Sequence, residues 1–159
     1  MKKMKLIILV TIITVVVIII GYCVYFTAGI SSTYPAIRKY EYAGNFNQLI
    51  IGIRNYTSTD SAVKLKITDT TGNKNNGYAT YLNIKMKVNQ DSVEYGLKCE
   101  EHISDGKTIL SLVEAYNKTR ITGGYSKEAK GVEPLVSNFE ANFLKPLRNS
   151  QNIKITPLE

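Results

Sequence analysis

The chain has 159 residues, with 20 Lys and Arg against 13 Asp and Glu and a formal net charge of +7 at pH 7. Setting aside Lys2, Lys3 and Lys5 leaves residues 27–159 with 17 basic and 13 acidic side chains, 17 − 13 = +4, and arginine only at 38, 54, 120 and 148. Nucleic-acid binders cluster a larger basic excess with stacking aromatics, so nucleic acid is not an expected partner. Of the two cysteines, Cys23 sits in the apolar N-terminal run and Cys99 stands alone in the remainder, so no disulfide framework staples the fold.

Residues 1–5 form a basic flank. From Leu6 to Phe26, 21 residues carry no charge, and fourteen of them are Ile, Leu or Val. As a helix this run measures about 31 Å, the thickness of a bilayer core, and Tyr22, Tyr25 and Phe26 suit an interfacial aromatic belt. The sequence therefore predicts a single transmembrane signal-anchor over 6–26. A cleaved signal peptide ending near Thr27-Ala28-Gly29 is the competing reading, but its apolar region normally runs about 7–15 residues. The N-terminal lysines place that end in the cytoplasm. The expected location is then the plasma (inner) membrane, with the following domain outside the cytoplasm in the cell envelope.

Residues 27–44 hold Pro35, small residues and tyrosines without clear periodicity, and read as a linker or a short juxtamembrane helix. Asn45 offers an N-cap, and Phe46, Leu49, Ile50 and Ile53 follow at helical spacing. Three runs of period two come next: Val63, Leu65, Ile67; then Leu82, Ile84, Met86, Val88; then Val93, Tyr95, Leu97, Cys99. Short polar turns separate them, so the strands must be antiparallel. A fourth strand over about 108–116 is apolar on both sides and is expected to be central or covered on both faces. Gly123-Gly124 reads as a turn. Val132, Leu135, Val136, Phe139, Phe143 and Leu147 form a second helical stripe, with Pro134 in the first turn and Pro146 expected to end or kink it. Ile153 and Ile155 suggest a short terminal strand. The predicted fold is α+β: an N-terminal transmembrane helix, then over 45–159 a two-layer sandwich of helix, four-stranded antiparallel meander and helix.

No motif carries a specific chemistry. Cys99-Glu100-Glu101-His102 is the densest cluster of reactive types, yet alternation turns Cys99 into the core, and one histidine with one domain cysteine is a poor metal set. Glu94 and Glu100 share the outward face but lie about 20 Å apart along one strand, too far for a carboxylate pair. No catalytic, cofactor or metal residue is expected from this pattern. The outward positions Lys64, Lys66, Lys85, Lys87 and Lys98 stand out instead, as a candidate surface for an acidic partner or an anion, although lysines also protect strand edges from aggregation. The expected function is a membrane-anchored, non-enzymatic binding or assembly module that contacts another envelope protein. The alternative is a small ligand-binding or enzymatic domain with a pocket between sheet and helices.

Overall fold

The computed structural model describes residues 14–21, 35–73, 77–102 and 104–158. The chain divides into two compact units, Met1–Thr33 and Tyr34–Glu159. In the first unit, residues 14–21 are helical. Among the described residues no helix is long and apolar enough to cross a membrane. This corrects the expected signal-anchor, and with it the plasma-membrane location, for which the structure gives no support. The remaining positions of the 6–26 run lie outside the described residues, as do 27–34 of the expected linker.

The second unit is α+β, built from β1 (Arg38–Tyr42), α1 (Phe46–Thr59), β2 (Val63–Asn73), β3 (Gly77–Val88), β4 (Asp91–His102), β5 (Lys107–Asn117), β6 (Thr122–Gly124), α2 (Val132–Phe139), a π-helical turn (Glu140–Leu144), α3 (Lys145–Gln151) and β7 (Ile155–Leu158). The sheet has seven strands rather than four, in the order β2-β3-β4-β5-β1-β7 with β6 on β5. All its pairings are antiparallel. The meander β2 to β5 was legible from alternation, and β5 is internal as expected. The three additional strands are β1, inside the segment read as linker, β6, which contains the Gly-Gly read as a turn, and β7.

The helices form the second layer. Asn45 caps α1 as expected, its side chain accepting the Gln48 N–H at 2.9 Å. Leu49, Ile50, Ile53 and Tyr56 are buried on one side of α1. All six positions of the second stripe, from Val132 to Leu147, are buried as well. Pro146 does not end that stripe: the helical run continues through α3, and the π-helical turn stands directly before it. The wider turn relieves the proline, which has no N–H and clashes with the carbonyl four residues back in an unbroken α-helix.

An aromatic cluster joins the layers. Phe139 lies 4.9 Å from the Tyr95 ring, 6.0 Å from Tyr40 and 5.2 Å from Phe143, onto which it stacks, and Phe143 meets Tyr56 of α1 edge-on at 5.9 Å. Burial leaves the two strand tyrosines needing polar partners. The Tyr95 hydroxyl donates to the Leu135 carbonyl and the Tyr40 hydroxyl to Glu140, each at 3.0 Å. Burial holds both phenols above the ordinary tyrosine range, and for Tyr40 the Glu140 carboxylate adds to it. They are therefore hydrogen-bond donors fixed in the core.

Candidate functional site

Both helical stripes meet the sheet through Tyr40, Tyr95 and their neighbours, so the opposite sheet face carries no helix of this unit. That open face is where the five outward lysines lie. Register places Lys64 opposite Lys85 and Lys66 opposite Asn83, with Lys87 opposite Ser92 and Lys98 opposite Tyr81. The strand-by-strand reading thus put all five on one face correctly, but it did not show how they are used. Lys85 binds Glu94 at 2.6 Å and Lys98 binds Glu100 at 2.7 Å. Lys64, Lys66 and Lys87 are exposed and make no ion pair among the described residues. Three unpaired lysines therefore gather at the β2–β3 edge of the face.

Beside them sits a polar cluster that the sequence did not reveal. The Glu94 side chain is only 9% exposed and is gripped by Lys85 at 2.6 Å and Lys118 at 2.8 Å. Burial pushes its carboxyl up, but the hydrogen bonds from the two ammonium groups outweigh this and hold it below the ordinary carboxylate range. Lys118 is delivered by the loop after β5. Its N–H donates to the Ser92 carbonyl at 2.8 Å, and the Ser92 N–H donates to the Thr119 hydroxyl at 3.0 Å. Asn117 fixes the loop from below, accepting the N–H groups of Thr119 and Arg120 and donating to Asp91, all at 3.0 Å. This asparagine is buried, and both its amide oxygen and its amide nitrogen are hydrogen-bonded.

Glu114 completes the cluster from β5. It lies opposite Gly96, and a Cβ at Gly96 would stand 2.9 Å from the Glu114 Cβ and 3.1 Å from its Oε2, so the carboxylate arm occupies the space above the glycine. Asn83 pairs with the same glycine from the other side, its Oδ1 buried with no hydrogen-bond partner. Burial raises the Glu114 carboxyl above its ordinary value; a Tyr125 hydrogen bond opposes this and the charge on Glu94 adds to it. Two carboxylates on one face are therefore pushed in opposite directions.

Glu94, lowered, adds stability above the ordinary carboxylate pKa that is lost as pH falls through its depressed value. Glu114, raised, adds stability only at low pH and loses it as pH rises through its elevated value, so near neutrality its charge is a cost. Glu114→Gln is accordingly expected to stabilise the protein at about pH 7, the gain shrinking toward about pH 4 as the native carboxyl protonates. Urea unfolding of both proteins at the two pH values measures this; equal stability at neutral pH would show that Glu114 carries no burden there.

The Cys99 thiol is fully buried, and burial, with Glu100 nearby, pushes it up to about 12, so it remains protonated and unreactive. His102 is exposed at the end of β4. Among the described residues no group of three or more His, Cys, Asp or Glu is placed to hold a metal. Comparison with protein-family models, with characterised proteins and with solved structures finds no match. Function must be argued from the geometry alone.

Proposed function

We propose that the unit Tyr34–Glu159 is a non-enzymatic binding or assembly module that docks an acidic protein partner on the open lysine face of its sheet. One observation carries the reading. Lys64 stands directly opposite Lys85 on neighbouring strands, and like charges in that position destabilise a sheet, a cost offset only in part by the Glu94 carboxylate, which Lys85 shares with Lys118. Lys66 and Lys87 on the same face add to the field, and among the described residues no carboxylate forms an ion pair with Lys64, Lys66 or Lys87. A cluster that costs the fold stability is accounted for when an external anionic surface meets it. Steering by such a patch mainly raises association rate and specificity, and salt weakens it.

The separation of stability from binding supplies the test. Lys64→Thr removes one member of the opposed pair, keeps good strand propensity, and is expected to raise unfolding free energy by about 0.2–1 kcal/mol. The Lys64→Glu, Lys66→Glu double variant of the full chain, purified from its native host at moderate salt with cross-linking and mass spectrometry, is expected to lose a partner that cross-links to this face in the native protein. Retention of the same partner by the double variant would reject the lysine face as the docking surface.

A further inference from the structure

We infer, resting on the acidic partner proposed for the lysine face, that this partner docks as an extended segment pairing antiparallel with the free edge of β2. Among the described residues β2 ends the sheet, with β3 on one side and no strand on the other. The phase of its hydrogen bonds follows from one contact. The Ala62 carbonyl accepts the Lys87 N–H at 2.9 Å, and Val63 stands opposite Met86, so bonded and non-bonded pairs alternate from there. Lys64 and Lys66 therefore direct their backbone groups to β3, while Leu65 and Ile67 aim N–H and C=O out of the sheet edge. Val63 adds its carbonyl, its N–H being held by the Asp60 carbonyl at 3.1 Å. The regular stretch ends at the register shift between Ile67 and Asp69, which confines the docking edge to 63–67.

Side chains along that edge select the occupant. Val63 is buried and Leu65 packs against the core, while Ile67, opposite the buried Leu82, is 38% exposed. An added strand continues this layer with apolar side chains on the same face. On the other face Lys64 and Lys66 are exposed and form no ion pair among the described residues. A second copy of β2 is a poor occupant. In every antiparallel register that joins two or more of residues 63, 65 and 67 across two copies, Lys64 meets Lys66 or one of these lysines meets its own counterpart, and like charges so placed repel. The same lysines thus guard the edge against self-association, whereas carboxylates at alternate positions of a foreign strand turn the pairing favourable. The occupant is a segment with carboxylates on one face and β-branched apolar side chains on the other.

A capped peptide Ser-Val-Glu-Val-Glu-Ser tests the edge, together with two isomers methylated on both valine nitrogens or on both glutamate nitrogens. In the antiparallel register the valine N–H groups donate to β2 and the glutamate N–H groups point away. Titrated into the isotope-labelled full chain and followed by NMR, the parent peptide is expected to slow amide exchange at Leu65 and Ile67 about tenfold or more at saturation. The glutamate-methylated isomer is expected to do the same, and the valine-methylated isomer to bind about tenfold more weakly or worse. The Lys64→Glu, Lys66→Glu double variant keeps its fold, since a carboxylate at 64 faces the Lys85 ammonium, and is expected to weaken the parent peptide about tenfold. Equal binding of the two isomers, no protection of Leu65 and Ile67, or no shift up to the solubility of the parent peptide would each overturn strand addition. Binding that ignores methylation yet falls in the lysine variant would remove strand addition alone and leave acidic docking on the face intact. Binding untouched by the lysine variant would reject the face and this inference together.

Discussion

Phe139→Ala is expected to lower unfolding free energy by about 3–5 kcal/mol, read from urea denaturation followed by circular dichroism. The ring is fully buried and lies within 4.9–6.0 Å of Tyr95, Phe143 and Tyr40, so it touches both the central sheet and the helical layer. Truncation removes the transfer energy of the ring and leaves a cavity whose walls are constrained. Tyr95 is tethered to the Leu135 carbonyl and Tyr40 to Glu140, and neither ring can move into the space without breaking its bond. Domains of this size are stable by only about 5–15 kcal/mol, so the variant should retain a small fraction of native stability. Phe139→Leu, which fills part of the volume, is expected to cost less than the alanine change. A loss below about 1 kcal/mol for alanine would mean that the helical layer does not close over the sheet at this position.

The same cluster shows what the sequence could and could not reveal. Phe139 and Phe143 were identifiable as core because helical periodicity is a local property, carried by residues three and four apart. β1 was not. In Arg38–Tyr42 the one fully buried side chain is Tyr40, set between Lys39 and Glu41, and this strand is held by pairing with β5 and β7, some seventy and more than a hundred residues away. Nothing in a window of five residues records those partners.

Glu114 was hidden for a related reason. Leu110 and Leu112 face the core, and strict alternation along β5 would send Glu114 inward with them. A register shift at Gly96/Leu97 leaves Val113 unpaired, and Glu114 emerges on the open face opposite Gly96. The residue that could have signalled this is Gly96 itself, because a glycine within a strand pattern often marks a bulge or a close approach. The lysine face was legible because β2, β3 and β4 keep regular alternation through residues 63–67, 82–88 and 93–99. Its ion pairing was not, since Lys118 reaches Glu94 only through the loop that Asn117 and Ser92 hold in place.

Gly123 offers the second large effect, and it tests the strand that the sequence presented as a turn. The residue has φ +106° and pairs with Tyr116 in β6. A Cβ placed there would stand 2.2 Å from the Ala115 carbonyl oxygen, 3.0 Å from the Tyr116 Cα and 2.8 Å from Leu135 Cδ1. Two of those three atoms belong to the backbone of β5, an internal strand that cannot yield without disturbing β4 and β1. Gly123→Ala therefore adds a positive-φ penalty to a backbone collision, and the expected loss is about 3 kcal/mol or more. Gly106, also at positive φ (+62°), has nothing within 4 Å of an added Cβ. Gly106→Ala isolates the conformational term, with an expected cost of about 1 kcal/mol. The difference between the two variants, measured in the same denaturant series, reports the close approach of β6 to β5. Equal losses would show that β6 does not lie against β5 as described.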